Sequence, residues 1–154
     1  MFDNIFKKAD KIYSPVSGQC LDITEVADKM FSSKMLGDGV AVLPVDELIC
    51  SPIDGKLVMI AETNHAFGVE SKTGLELLIH IGIDTVELNG TGFEKLANVG
   101  EKVKQGAPII QIHKNEVPEG VDLTTMIVIT KGNLNQGSKP NLNHLVAKGD
   151  VILS

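Results

Sequence analysis

Leu75-Glu76-Leu77-Leu78-Ile79-His80-Ile81-Gly82-Ile83 is the stretch on which the fold turns. Glu76 and His80 are its only polar side chains, and a run this short between glycines reads as a strand. The apolar residues on both faces predict a central, buried strand. His80 shares one face with Leu78 and Gly82, while Ile79 and Ile81 point to the other.

The same punctuation extends outward. Fifteen glycines and six prolines divide the chain into short pieces rich in Val, Ile and Leu, the pattern of an all-β fold. Strands are predicted over 18–23, 39–44, 55–61, 66–71, 76–83, 108–112, 126–129 and 150–153. Two internal echoes sharpen the picture. Ser14-Pro15-Val16-Ser17-Gly18 is repeated as Ser51-Pro52-Ile53-Asp54-Gly55, and the stretch from Val99 to Gly106 is echoed by Val146 to Ile152. Two copies favour a closed assembly over a solenoid. The expected fold is an antiparallel β-sandwich or barrel-sandwich of two similar hairpin units, with few short helical turns. Helical spacing occurs only at Met1–Ile12, with Phe2, Ile5, Phe6 and Ala9 on one side, and as a turn or two over Phe93–Val99. Residues 1–12 are read as an N-terminal tail capable of weak membrane contact, and residues 13–154 as one domain.

Composition excludes several classes of function. The chain has 154 residues, with 14 basic against 20 acidic residues and a net charge of -6. That balance offers no basic field for nucleic acid. No segment has the length of a membrane span, and no apolar core of a secretory signal precedes a cleavage site. A cytoplasmic location is expected. Cys20 and Cys50 lie in apolar surroundings without a partner at metal-binding spacing, which reads as two buried, reduced thiols. No phosphate-cradling loop and no hydrolase nucleophile elbow occurs, so no cofactor is expected. Two histidines without a third ligand leave no metal site.

Chemistry therefore rests on histidines. An apolar strand lowers the pKa of His80 and keeps its imidazole neutral, the nucleophilic form. Attack also requires one ring nitrogen to be fixed as a donor, and Gly82 leaves room for a backbone carbonyl to do this. A satisfied core histidine is the competing reading. His65 follows Thr63 and Asn64, whose side chains could hold one ring nitrogen and aim the other at a neighbouring charge. His113 and His144 stand beside polar residues and read as solvated.

Glu62-Thr63-Asn64-His65-Ala66-Phe67, taken with His80-Ile81-Gly82-Ile83-Asp84-Thr85-Val86-Glu87-Leu88, resembles the paired signatures of glucose-type enzyme IIA of the phosphoenolpyruvate-dependent sugar phosphotransferase system. The likeness runs from about Tyr13 to the end, through Pro15-Val16-Ser17-Gly18, Gly37-Asp38-Gly39-Val40-Ala41 and Pro52-Ile53-Asp54-Gly55. It implies a β-sandwich acting as a phosphotransferase component. His80 would accept a phosphoryl group on Nε2 from the phosphocarrier HPr and pass it to the IIB cysteine of a glucose-type permease. It further implies that His65 stabilises the phosphoryl group, Thr63 orients His65, and the Gly82 carbonyl orients His80. Asp28 and Asp84 would form an acidic rim that attracts partner arginines and repels the phosphate. Phe31, Met35, Leu36, Leu78 and Val86 would supply an apolar docking face. Leu78 and Ala61 stand where the family often has phenylalanine, which thins that face. A phosphorylation-switched regulatory module is the alternative, since it would share every residue named. The Gly-Lys and Val-Lys-Gln-Gly turns also resemble half-motifs of biotinyl and lipoyl domains, but no exposed acceptor lysine follows Ile112.

Overall fold

In the strand Glu76–Ile81, Leu77, Ile79 and Ile81 are buried while Leu78 and His80 are half-covered, the alternation expected of one sheet face turned to the core. The computed structural model describes residues 11–134 and 137–154. Its strands are β1 (Ile12–Tyr13), β2 (Gly18–Asp22), β3 (Gly39–Pro44), β4 (Leu48–Cys50), β5 (Gly55–Ile60), β6 (Ala66–Glu70) and β7 (Glu76–Ile81). They continue as β8 (Phe93–Lys95), β9 (Lys102–Val103), β10 (Pro108–Ile112), β11 (Thr125–Lys131), β12 (Leu145–Val146) and β13 (Val151–Leu153). Among the described residues one α-helix, α1 (Lys29–Ser32), occurs, between β2 and β3.

An eight-stranded sheet in the order β12-β2-β3-β11-β7-β6-β5-β9 forms the body, with β1-β13 and β4-β10-β8 as smaller sheets. All the pairings are antiparallel. Between the sheets lies the main core, which includes Ile12, Val40, Val42, Ile49, Leu57, Phe67, Ile79, Ile110 and Ile127. Each such side chain contributes roughly 1.5–3 kcal/mol by leaving water. The expected all-β sandwich is what the chain forms.

The sequence echoes become a pseudo-twofold axis. Ser14 N donates to Asp150 O and Gly149 N to Ser14 O, at 2.7 and 3.0 Å; in the second copy Ser51 N donates to Ala107 O and Gly106 N to Ser51 O, at 2.8 and 2.9 Å. The copies clasp each other through Tyr13 N to Pro52 O and Cys50 N to Pro15 O. The registers repeat as well. Gln19 faces Leu145 and Leu43 as Lys56 faces Lys102 and Glu70. Val42 faces Thr125 as Val69 faces Leu77, and Ile79 faces Ile127. The axis thus passes between β7 and β11, and His80 is the counterpart of Val128. The two similar units interlock through one eight-stranded sheet.

The first serine of each copy, Ser14 and Ser51, is fully buried, with its hydroxyl donating 2.7 Å to the carbonyl of Val16 or Ile53. Replacing either donor leaves a buried carbonyl short of a partner. Ser14→Ala and Ser51→Ala should each cost about 1–3 kcal/mol, read as a lower midpoint in urea unfolding.

Several expectations need correction. Phe93–Val99 does not begin as helix: Phe93–Lys95 pairs with Ile110–Ile112, and Phe93 is buried in the main core. Edge pairing and burial override the local preference. Ile12, assigned to the tail, is a fully buried residue of β1 opposite Leu153. The rest of the helix expected over 1–12, and its membrane contact, falls outside the described residues apart from Lys11. The strand expected to reach Ile83 stops at Ile81, because Gly82 takes φ +84° and turns the chain away. Cys20 and Cys50 are buried free thiols, as expected, and burial pushes both pKa values up.

Candidate functional site

The outer face of the large sheet is only partly covered. Residues 23–36, carried by the connection between β2 and β3, lay Ile23, Val26 and Phe31 against Ala41, Met126 and Val128, with Leu21, Leu36, Leu78 and Ile83 at the margin. This second apolar cluster ends at His80. A cross-strand row of Leu21, Ala41, Met126, His80 and Ala66 runs from beneath the cover, through half-covered His80, to buried Ala66.

His65 enters from the other connection, between β5 and β6. Asn64 before it adopts a left-handed conformation with φ 61°, which short polar residues tolerate. The turn is closed by Asn64 N donating to Ala61 O at 2.8 Å. Buried His65 then stands edge-on to His80, with ring centroids 4.9 Å apart and planes at 80°. On the opposite side the Phe31 ring lies 4.9 Å from the His80 ring. His80 is therefore held between an aromatic wall and a second histidine.

Hydrogen bonds settle the remaining freedom of both rings. His80 Nδ1 lies 3.0 Å from Gly82 O. A carbonyl can only accept, so Nδ1 carries the proton and Nε2 keeps its lone pair. Gly82 is suited to this because its φ is +84°, and a Cβ there would lie 2.3 Å from Thr85 Cγ2. Thr85 is fully buried and its hydroxyl donates to Ile81 O, closing the bend. Thr63 Oγ1 lies 2.6 Å from His65 Nδ1, leaving the Nε2 edge of His65 free of that bond.

Burial lowers the pKa of His80 below 6.5, and His65 adds to the effect because two neighbouring imidazolium charges repel; the Gly82 carbonyl, Asp28 and Asp84 oppose it. Burial alone lowers His65. Both rings are thus held towards the neutral form near neutral pH. Exposed His113 is raised by its hydrogen bond to Glu94. An NMR titration should find His65 and His80 titrating below 6.5 and His113 above it. A depressed folded pKa means that the unfolded chain binds the proton more readily. Stability from His65 and His80 is therefore complete above pH 6.5 and falls as pH drops through their folded values. His80→Gln should make that acid-side loss shallower.

The rim residues divide into three kinds. Asp28 caps α1, its carboxylate accepting from Met30 N at 2.9 Å. Asp84 is exposed in a left-handed conformation just before a 3-10 turn over Thr85–Leu88. Met35 and Val86 are exposed, at 74% and 52%, and Leu36 and Leu78 are half-covered. Phe31 is different: at 3% exposure it is part of the wall and offers a partner almost no surface. Met30, 47% exposed beside the Asp28 cap, belongs to this apolar margin and was not singled out from sequence. Its signal was its place one residue before Phe31 in a helix too short to leave a periodic pattern.

Two adjacent histidines held towards the neutral form, one with Nδ1 tied to a carbonyl and its Nε2 lone pair free, have the arrangement that transfer of a small electrophilic group needs. A family model described as "phosphoenolpyruvate-dependent sugar phosphotransferase system, EIIA 1" matches residues 10–134. The chain belongs to this family. Within it the likeness is to the glucose type. The glucose-specific EIIA component of Haemophilus influenzae is 46% identical over 117 residues, covering 72% of this chain and 70% of that protein. The glucose-specific EIICBA component of Staphylococcus carnosus is 42% identical over 144 residues, covering 92% of this chain. The glucoside-specific EIICBA component of the same organism is 44% identical over 126 residues, covering 80% of this chain. This EIIA chain matches about a fifth of either Staphylococcus protein, 21% and 18% of their lengths. A solved structure, glucose permease IIA from Mycoplasma capricolum, superposes with a TM-score of 0.82 at 34% identity over 96% of both chains. EIIA is a phosphotransferase system component. Among the described residues, no helix of this EIIA is long and apolar enough to cross a membrane.

Proposed function

We propose that this EIIA carries phosphoryl groups in sugar uptake, accepting them on Nε2 of His80 from the phosphohistidine of HPr and donating them to the IIB cysteine of a glucose-type permease. The observation that carries this reading is the bond from His80 Nδ1 to Gly82 O at 3.0 Å, which leaves Nε2 as the nucleophile. In the first step Nε2 forms a bond to phosphorus as the donor's N–P bond breaks. The ring becomes cationic, and its remaining N–H is already pointed at a carbonyl that stabilises that charge.

His65 stabilises the transferring group. With the Thr63 hydroxyl donating to its Nδ1, His65 carries its own proton on Nε2 and presents it to the phosphoryl oxygens, where charge accumulates. Asp28 and Asp84 draw partner arginines to the rim. Their repulsion of the bound phosphate makes the phosphohistidine a readier donor. Met35, Leu36, Leu78 and Val86 give a modest apolar patch, suited to partners that exchange one group and leave. The Staphylococcus relatives are named as EIICBA components, joining EIIA to EIIC and EIIB in one protein, which supports a permease-borne acceptor for this chain.

The test is incubation with phosphoenolpyruvate, enzyme I and HPr, followed by NMR of the imidazole nitrogens. An acid-labile phosphate on Nε2 of His80 is expected. Phosphate on another residue, or none while HPr itself is phosphorylated, would overturn the reading. His65→Gln should still accept phosphate, whereas onward transfer should slow by roughly 10²–10³-fold, the usual effect of losing one preorganised donor. Transfer to a purified IIB domain measures it.

A further inference from the structure

At the far edge of the large sheet lies a cleft of about 640 Å³ lined by Lys56, Lys72, Lys102 and Lys104, together with Asp54 and Glu70. Strands β7, β6, β5 and β9 are consecutive in the sheet, which separates this cleft from His80 by about 14 Å across the strands. Asp54 is already engaged, accepting from Gln105 N at 2.7 Å, and Glu70 faces Lys56 across the ladder. Two carboxylates thus stand against four ammonium groups. Among the described residues none of these lysines is in a salt bridge.

The arrangement is not imposed by the fold. Lys56 and Lys102 sit directly opposite one another, and a like-charged cross-strand pair weakens a sheet. The pseudo-twofold counterpart provides an internal control. Gln19 faces Leu145 there, with Leu43 beyond, so the same register is built without charge. A repulsive pair in a concave setting, where the symmetric half has none, is accounted for by an anion bound between the two. We propose that this cleft binds a compact phosphate-bearing polyanion, a small molecule with at least two anionic groups. Its concavity favours a small molecule over the flat face of a protein.

Inorganic tripolyphosphate is the probe, titrated into the full chain at constant ionic strength set with sodium chloride. Saturable amide shifts are expected at Gly55, Lys56, Ser71–Thr73 and Lys102–Lys104. Lys56→Gln/Lys102→Gln should weaken binding by about tenfold or more, since charge-assisted contacts are lost. Lys102→Gln alone, which leaves the Lys56–Glu70 pair in place, should unfold at an equal or higher temperature than the wild type in the absence of probe, because a repulsion has been removed. Lys95→Gln, in the β4-β10-β8 sheet, should bind as the wild type does. Shifts scattered over all surface lysines, equal binding by the double variant, or a cleft that takes a glutamate-rich peptide and ignores tripolyphosphate would each overturn the proposal.

Discussion

His80→Gln should accept no phosphoryl group from phospho-HPr, a fall of at least about 10⁴-fold, while its thermal midpoint stays near that of the wild type. The glutamine amide has no nitrogen lone pair for phosphorus, so nucleophilic catalysis is removed outright. Folding is spared because His80 is on the half-covered face of β7, outside the main core built from Leu77, Ile79 and Ile81. Loss of its partly covered, protonatable ring also relieves the acid-side penalty shared with His65. Intact mass after incubation with the phosphorylating proteins gives the first quantity and calorimetry the second. A phosphate on the variant would move the acceptor elsewhere, with His65 the nearest other imidazole.

Gly82→Ala should be the most damaging single methyl in the site. A left-handed φ of +84° costs an L residue roughly 1–2 kcal/mol. The added Cβ would also lie 2.3 Å from Thr85 Cγ2 and 2.8 Å from Asp122 O, adding about 1–3 kcal/mol of overpacking. The carbonyl that fixes His80 belongs to this same residue, so any relief of the clash turns it away from Nδ1. A misplacement near 1 Å can slow transfer about 10²-fold. Denaturant unfolding and the rate of phosphorylation are the two readouts. Thr85→Ser supplies a control: it deletes the clashing methyl yet keeps the hydroxyl that bonds Ile81 O. Gly82→Ala/Thr85→Ser should therefore recover part of the lost stability, while the strain from φ and from Asp122 O persists. Full additivity of the two single changes would show that the Thr85 contact is not responsible.

The site was largely legible because its pieces are local. His80 and Gly82 are two residues apart, and so are Thr63 and His65, spacings at which a strand end or tight turn brings ring and partner together. The central strand was legible because 75–83 is a short run between glycines that is apolar on both faces save for Glu76 and His80. What escaped was set by distant partners. Strands of two or three residues such as β1, β9 and β12 have no periodicity of their own and exist because β13, β5 and β2 pair with them. The resemblance placed Phe31 on the docking face, yet the connection folds back and buries it against Met126 and Val128. The charged cleft joins residues 54–56, 70–73 and 102–104, too far apart in the chain for any motif to unite them.

The pseudo-twofold axis also bears on stoichiometry. It gives the sheet two equivalent seats, one at His80 and one at Val128, flanked by corresponding strands. The connection over residues 23–38 is long and folds across Val128, sealing that seat with apolar cover. Its counterpart over residues 61–65 is short, leaving the other seat open with His65 at its lip. The unequal connections, with a shared frame of strands beneath them, leave one seat open to the surface where the symmetry alone would have admitted a pair.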